Sequence, residues 1–213
     1  MSNHDGLSIV VPIFNEKKNL NKLINKIYSL TKIKKFEVII VDDDSTDGTK
    51  KTLKKSLFLK KNLNYILRKK KPRDLSQSCM LGFRKAKFPN ILVMDGDLQH
   101  NPTYINKLYF VLMNHNCDLV VGSRNLLKKK NKGLSLLRLT FSIILIFIVN
   151  LFLGPKTSDP MSGFFIFKKK IYIKNKRFFY NNGYKILLDI MYSSKNKLKI
   201  VDMNIVFKRR LEG

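Results

Sequence analysis

The first half of the chain alternates between short apolar runs and longer segments in which apolar residues recur at helical spacing. In the segment 16–30, for example, Leu20, Leu23, Ile24 and Ile27 fall on one face of a helix. Runs rich in β-branched residues predict strands at 7–13, 36–41, 63–67, 91–94 and 118–122. The amphipathic segments predict helices at 16–30, 47–57, 74–86 and 102–113. This alternation predicts βαβ units and an α/β fold with a mostly parallel sheet that carries helices on both faces.

The pattern changes after Arg124. A basic loop at 125–133 leads into an apolar stretch at 139–153, and a turn-rich segment follows at 157–163. The remaining elements are predicted to be a strand at 164–167, a helix near 184–192 and a strand at 200–207. Because neither a repeat nor a linker separates this part from the first, we expect one domain over 1–213.

The apolar stretch 139–153 is shorter than the ~20 residues that a membrane-spanning helix needs. It also contains the polar residues Thr140, Ser142 and Asn150. We therefore expect a helix that lies in a membrane interface, with Arg138 at the level of the lipid phosphates. A core helix and a spanning helix are the alternatives. The polar start of the chain predicts no signal peptide before the first strand.

Composition adds a strong positive charge. The chain has 213 residues, with 42 Lys and Arg against 15 Asp and Glu, which gives a formal net charge of +27. With 44% hydrophobic residues it is not a disordered chain, and its charge points to an anionic partner such as nucleic acid, a membrane surface or a phosphorylated substrate. The two cysteines, Cys79 and Cys117, form no metal or disulfide motif, which favours free thiols in a reducing compartment.

Acidic residues nevertheless follow several of the predicted strands. Asp95 and Asp97 flank a glycine directly after the fourth strand, and Gln99 comes two residues later. Because ligands of parallel sheets bind beyond the carboxyl ends of the strands, these oxygens are placed where a ligand is expected. Two carboxylates that meet at one point repel each other unless a cation is present, and oxygen ligands suit Mg²⁺ or Mn²⁺. A solvated turn is the alternative interpretation.

Two further loops end at the same predicted edge. Asp43 lies in an acidic loop after the second strand, where a carboxylate commonly contacts a ribose or base. Pro12 lies near the end of the first strand and Glu16 in the loop after it, and Glu16 is expected either to cap a helix or to reach a nucleoside. The loops lack a glycine-rich phosphate cradle, which excludes a dinucleotide-binding or P-loop motif.

Acidic loops at one edge of so basic a protein argue against nucleic acid as the ligand, because a nucleic-acid binder keeps carboxylates away from its basic face. Acidic residues close to Arg124 and Arg138 instead suggest a site for a metal ion and a pyrophosphate. The three histidines, His4, His100 and His115, are expected at the surface or behind the site.

Seven segments together resemble glycosyltransferase family 2, of GT-A fold, and in particular its dolichyl- or polyprenyl-phosphate mannosyltransferase branch. They are VPIFNE (11–16), VDDDSTDGT (41–49), MDGDLQH (94–100), GSR (122–124), SDPMSGFF (158–165), GYKILLDI (183–190) and FKRRLEG (207–213). The sequence departs from the usual pattern at Gly96, where the branch has Ala, and at 73–76, where it has Gly-Leu-Ser.

The resemblance implies roles for individual residues. The nucleoside of a sugar donor would lie against Pro12, Phe14, Glu16 and Asp43, with Asp95 nearby. Asp95, Asp97 and Gln99 match a site for Mg²⁺ or Mn²⁺. Arg124, Arg138, Ser162 and Arg210 match residues that meet the acceptor and the phosphates, and Asp97, Arg124 and Arg138 are the expected catalytic residues. The segment 1–123 would then form the nucleotide-sugar and metal half, and 124–213 the acceptor and membrane-facing half.

The resemblance also implies an activity: inverting transfer of a hexose from a nucleotide sugar to a polyprenyl or dolichyl phosphate. GDP-mannose is the favoured donor, and UDP-glucose is the alternative. We expect a peripheral protein on the cytoplasmic face of a membrane, with no nucleic-acid partner. One rival is an enzyme of the same fold that acts on a saccharide, for which Asp159 is the available base. The other is a catalytically dead protein that binds membranes or nucleic acid.

Overall fold

A computed structural model describes residues 5–124, 157–180, 182–195 and 197–207. The strands in this part are β1 Leu7–Ile13, β2 Phe36–Asp42, β3 Leu63–Leu67, β4 Asn90–Val93, β5 Leu119–Arg124, β6 Phe165–Lys168 and β7 Ile200–Ile205. The α-helices are α1 Lys17–Leu30, α2 Thr49–Leu59, α3 Leu75–Lys85, α4 Tyr104–Asn114, α5 Lys169–Asn175 and α6 Ile186–Ser193. A 3₁₀ helix, Lys176–Phe178, follows α5.

The strands form one sheet in the order β3-β2-β1-β4-β6-β5-β7 within the described residues. Strand β6 runs antiparallel to both β4 and β5, and the other recorded pairings are parallel. The predicted α/β class with a mostly parallel sheet is therefore confirmed. The predicted apolar helix at 139–153 lies outside the described residues.

Each face of the sheet carries its own apolar layer. Successive residues of β1 point to opposite faces, so Ile9 packs in the layer under α1, α2 and α4, while Val10 packs in the layer under α3, α5 and α6. Helix α3 lies so close to β1 that a Cβ atom at Gly82 would overlap the Val10 side chain. The sheet is thus covered on both faces, which explains its continuously apolar strands.

The parallel strands end together at one edge. The register pairs Ile13 with Asp42, and the Asp43 backbone N–H donates to the carbonyl of Ile13 at 2.9 Å. The Met94 N–H donates to the carbonyl of Val10 at 3.2 Å, which brings the end of β4 beside β1. These bonds gather the loops after β1, β2 and β4 at the same edge of the sheet.

The sequence pattern located the strands at 7–13 and 63–67 with the bounds that the structure has, and most other ends within two residues. The last strand ends at Ile205 rather than 207. Helix α5 was not predicted. It is a short helix that begins within the run Lys168 to Lys170, and only Ile171 and Tyr172 of it are buried, so no long apolar period marks it.

Candidate active site

The turn after β4 presents two carboxylates to one cavity. Asp95 and Asp97 both line a cavity of about 510 Å³ beyond the edge of the sheet. Gly96 between them lies against β1, and a Cβ atom there would come within 2.8 Å of the Ile13 side chain. The Asp97 carboxylate accepts a hydrogen bond from the Gln99 N–H at 3.0 Å. Glycine is therefore required for the close fit that brings both acids to the cavity.

Asp95 is held from two sides. His100 Nε2 lies 3.2 Å from its Oδ2 atom, and a Cβ atom at Gly163 would overlap the carboxylate. The His100 ring is buried between Phe164 and Phe207, at centroid distances of 5.0 and 5.2 Å. Of the two positions expected for it, at the surface or behind the site, His100 occupies the second.

A second cavity, of about 280 Å³, adjoins the first. Pro12, Asp95 and Tyr184 are among the residues that line both, so Asp95 lies where the two cavities meet. Arg124 and Lys185 line the second cavity only, and Gln99 lines it as well. We call the first the acidic cavity and the second the basic cavity. Among the described residues, Asp95 is the one carboxylate that lines both of them.

Arg124 is fixed in place by Asp159. Its Nε and NH2 atoms donate to the two carboxylate oxygens at 2.7 and 2.8 Å, and its backbone N–H donates to Oδ2 at 3.1 Å. Asp159 is completely buried, and the Arg124 side chain is 20% exposed. The hydrogen bond to Asp159 raises the pKa of the guanidinium, so Arg124 keeps its positive charge at the cavity wall.

Lys185 adds a second cation that the sequence reasoning did not single out. Desolvation of its ammonium group lowers the pKa of Lys185, and the charge of Arg124 lowers it further, while Asp95 and Asp159 oppose the shift. Lys185 and Arg124 thus place two cationic side chains at the wall of one cavity, where an anion would be attracted. The sequence could have pointed to Lys185 through its place in the segment GYKILLDI, directly before α6.

Ser162 lines the second cavity but does not offer its hydroxyl to it. The Oγ atom donates to the Gly122 carbonyl at 2.7 Å and accepts from the Phe164 N–H at 3.1 Å, in a buried setting. These bonds tie the turn before β6 to β5. The structure thus assigns the hydroxyl to the backbone, and an acceptor contact by this residue stays a prediction from the resemblance.

Asp43 lines the acidic cavity with both oxygens already engaged. One forms a buried ion pair with Arg68, and the other accepts from the Asp74 N–H at 2.6 Å. Asp74 in turn caps α3 by accepting from the Gln77 N–H at 2.8 Å. Asp43 therefore shapes the cavity wall, and its contact with a nucleoside stays a prediction.

The loop after β1 completes the acidic cavity. Phe14 is 39% exposed, and the Arg73 guanidinium lies 4.1 Å from the centre of its ring. Glu16 is buried and accepts from the Asn19 side chain at 2.9 Å, but it makes no side-chain cap bond to α1. Pro12, Phe14 and Glu16 thus lie together with Asp95 and Asp97, whereas Arg73 is a neighbour that the sequence reasoning did not assign.

The predicted residues Arg138 and Arg210 lie outside the described residues, as does His4. The donor set that is described fits a divalent cation, because Asp95 and Asp97 line one cavity and supply hard oxygen ligands. No group of three or more His, Cys, Asp or Glu residues gathers at one point in the described ranges. A metal held here would thus need other oxygen ligands, such as the Gln99 amide or substrate phosphates.

Both cysteines are buried free thiols. Burial raises the pKa of Cys79 well above its usual value and also raises that of Cys117, so neither is suited to act as a nucleophile. Within the residues described, none of the helices combines the length and apolar character needed to cross a bilayer.

A mostly parallel sheet with an acidic pair after its fourth strand is the arrangement of a GT-A fold. The fold is closely similar to that of glucosyl-3-phosphoglycerate synthase from Mycobacterium tuberculosis, with a TM-score of 0.74 and 17% identity for the complex with Mn²⁺, UDP and glucosyl-3-phosphoglycerate. The match covers 98% of this chain and 73% of that chain. At this identity the likeness concerns the fold.

The chain belongs to glycosyl transferase family 2, whose profile matches residues 8–175. It is 31% identical over 210 residues to a dolichol-phosphate mannosyltransferase of Pyrococcus furiosus, which covers 97% of this chain and 58% of that protein. It is also 31% identical to the enzyme of that name from Mycosarcoma maydis, over 100% of this chain and 74% of the relative. The chain thus spans less than two thirds of the Pyrococcus protein.

Proposed function

We propose that this chain transfers a mannosyl group from GDP-mannose to a polyprenyl or dolichyl phosphate, as a peripheral protein on the cytoplasmic face of a membrane. The observation that carries the proposal is the junction at Asp95, where an acidic cavity meets a basic cavity lined by Arg124 and Lys185. The names of its relatives, dolichol-phosphate mannosyltransferases, support a mannosyl group and a polyprenyl-type phosphate acceptor. The free cysteines agree with a reducing compartment.

The acidic cavity would take the nucleotide sugar. Phe14, Glu16 and Asp43 would line the nucleoside side, and Asp95, Asp97 and Gln99 would hold Mg²⁺ or Mn²⁺ with the donor diphosphate. The M. tuberculosis synthase of the same fold binds Mn²⁺ and UDP, which supports a divalent ion here. When bound, such an ion neutralises the pyrophosphate and stabilises the departing nucleoside diphosphate.

The basic cavity would take the phosphate of the lipid. Arg124 is held in one orientation by Asp159, so its remaining N–H groups are directed before the acceptor arrives. Lys185 adds a second cation at the same wall, and Arg138 and Arg210 would complete the set. These cations offset the repulsion between two anionic substrates that must approach each other.

The acceptor needs orientation more than deprotonation, because a lipid phosphate is already anionic near neutral pH. Its oxygen would attack the anomeric carbon in line with the departing diphosphate, and so invert the configuration at that carbon. A saccharide acceptor needs a base to take up a hydroxyl proton. Asp159 was the available candidate for that base, but it is buried and bonded to Arg124 through both oxygens. The structure therefore favours a phosphate acceptor.

A donor and acceptor screen tests this function. The purified chain is incubated with GDP-mannose or UDP-glucose in magnesium or manganese buffer, and the acceptor is undecaprenyl phosphate, a free saccharide or none. Release of GDP that depends on both the lipid phosphate and the divalent ion, together with formation of a mannosyl lipid, is the expected result. UDP release at a higher rate would assign the donor to the glucose alternative, and release with free saccharides alone would overturn the lipid acceptor.

A further inference from the structure

A groove on the face of the sheet that carries α3 and α5 is lined by basic residues and lies outside the candidate active site. It has a volume of about 760 Å³. We call it the basic groove. Its charged side chains come from the β3–α3 connection, from α3 and from the 3₁₀ helix, and they are Lys69, Lys70, Arg84, Lys176 and Arg177. All five residues are exposed, and the lining of the groove contains no carboxylate.

None of these five cations forms an ion pair with a carboxylate in the described part of the chain. Arg68, at the inner wall, differs because Asp43 neutralises it. Five like charges around one groove repel one another and raise the local concentration of anions. The groove is therefore complementary to a surface that carries several negative charges.

The groove also has an apolar side. Met80 and Leu81 of α3 line it and pack against the apolar layer beneath. Two aromatic side chains at the end of the 3₁₀ helix are exposed: Phe178, its last residue, at 46%, and Tyr180, two residues later, at 77%. The Arg177 guanidinium lies 4.7 Å from the centre of the Phe178 ring. Exposed aromatic rings beside basic side chains are typical of surfaces that rest in a membrane interface.

The position of the groove connects it to the candidate active site. Asn182 lines the groove, while Tyr184 and Lys185, two and three residues further along the chain, line the catalytic cavities. The segment 182–185 therefore runs from the groove to the basic cavity. A bilayer that covered the groove would bring lipid phosphates near the cavity proposed for the acceptor.

We infer that the basic groove, with Phe178 and Tyr180 at its margin, is a docking surface for a membrane that contains anionic phospholipids. The inference rests on the proposed function, because a transferase acting on a membrane lipid needs its acceptor cavity close to the bilayer. Single-stranded RNA also binds surfaces with basic and aromatic side chains, so RNA binding is the competing outcome of the test.

The test compares two double variants of equal charge. K176Q/R177Q removes two exposed cations from the groove, and K50Q/K51Q removes two exposed lysines from α2, which packs on the opposite face of the sheet. Cosedimentation is measured with phosphatidylcholine vesicles and with vesicles of equal parts phosphatidylcholine and phosphatidylglycerol. We expect K176Q/R177Q to lower partitioning onto the anionic vesicles by roughly 30-fold, and K50Q/K51Q to lower it only slightly.

A second pair tests the aromatic margin. Tyr180→Ser is compared with Phe58→Ser, which alters an exposed ring on α2. We expect only Tyr180→Ser to weaken vesicle binding. Equal losses of vesicle binding in the groove variants and the control variants, or no loss in either, would overturn the inference. So would a loss of RNA binding by K176Q/R177Q with unchanged vesicle binding, which would assign the groove to nucleic acid.

Transfer to a short-chain, water-soluble polyprenyl phosphate is measured for the same variants without vesicles. Because the groove lies outside the catalytic cavities, K176Q/R177Q is expected to retain the rate of the parent chain. Absence of transfer by the parent would refute the proposed function and leave the vesicle result standing. Normal transfer with equal vesicle binding by all variants would refute the docking surface alone.

Discussion

Asp159 holds Arg124 through two parallel N–H···O bonds, at 2.7 and 2.8 Å, at the wall of the basic cavity. The pair has two consequences. It removes Asp159 from consideration as a catalytic base, and it directs the guanidinium before any substrate binds. Because a paired guanidinium still carries N–H donors that the carboxylate does not use, Arg124 can hold a phosphate while it stays bonded to Asp159.

Loss of this pair is expected to lower the stability of the protein as well as its activity. Asp159→Ala leaves the Arg124 charge, with a side chain only 20% exposed, without its partner. Removing one member of a buried ion pair typically costs about 3–5 kcal/mol, so we expect a fall in the free energy of unfolding within that range in urea titrations.

The control for this prediction is Lys71→Ala, which breaks the exposed pair between Lys71 and Asp44. Exposed pairs contribute little, and we expect no resolvable change in unfolding. Comparable losses of unfolding free energy in the two variants would contradict the role given to the Arg124–Asp159 pair.

Gly163 is expected to be needed for the position of Asp95. A Cβ atom there would overlap the Asp95 carboxylate, so Gly163→Ala must displace the carboxylate from the junction of the two cavities. We expect binding of Mn²⁺ with GDP, measured by calorimetry, to weaken by at least tenfold. Circular dichroism and the melting temperature of the unliganded variant report whether the fold is kept. Unchanged Mn²⁺ and GDP affinity in a folded Gly163→Ala variant would show that Asp95 does not position the ion.

Gln77 is expected to couple the two cavities. Arg68, paired with Asp43, donates to the Gln77 Oε1 atom at 2.7 Å, and the Gln77 amide donates to the Asn182 side chain at 2.8 Å. Asp74 adds a parallel path, because its carboxylate accepts from the Gly183 N–H at 2.5 Å. The wall of the acidic cavity is thus bonded to the residues that precede Tyr184 and Lys185.

Gln77→Ala removes one of these paths. Since a hydrogen bond contributes roughly 0.5–1.5 kcal/mol, we expect the KM for the lipid acceptor to rise about 3–10-fold, while the affinity for the donor changes little. Gln77→Glu keeps an acceptor for Arg68 but loses the donor to Asn182, and should show a similar increase in KM. A change in donor affinity alone would place Gln77 in the donor site and contradict the coupling.

Asp189 on α6 is expected to make stability depend on pH. Burial raises its pKa from 3.8 to about 6, and its Oδ2 atom is buried without a hydrogen-bond partner among the described residues. The folded protein therefore holds this proton more tightly than the unfolded chain. Its contribution to stability is full below pH ~4 and is lost as the pH rises to ~6.

Asp189→Asn removes this titration. We expect the variant to gain stability relative to the parent as the pH rises from about 4 to about 6, as measured by urea unfolding across that interval. Parallel pH profiles for the parent and the variant would show that Asp189 does not titrate there.

The sequence predicted much of the sheet because buried parallel strands leave continuous apolar runs, as in the segments 7–13 and 36–41. It also predicted that Asp95 and Asp97 would lie beside Pro12 and Glu16, since parallel strands end at one edge. It could not show that Asp159 bonds to Arg124, because that contact joins the end of β5 to a turn 35 positions further along the chain. Nor could it show that the Ser162 hydroxyl donates to the backbone carbonyl of Gly122, because the sequence around a serine does not specify its hydrogen-bond partner.

Substitution of Asp97 tests the central claim most directly. GDP release from GDP-mannose is followed with undecaprenyl phosphate over a Mn²⁺ titration, for the parent chain and for Asp97→Asn, which keeps the shape of the side chain and removes its charge. The parent is expected to release GDP only when both the lipid phosphate and Mn²⁺ are present, and Asp97→Asn to be slower by at least about 10²-fold with an unchanged melting temperature. Equal rates for the parent and a folded Asp97→Asn variant would contradict the assignment of the acidic cavity to a metal ion and the donor diphosphate.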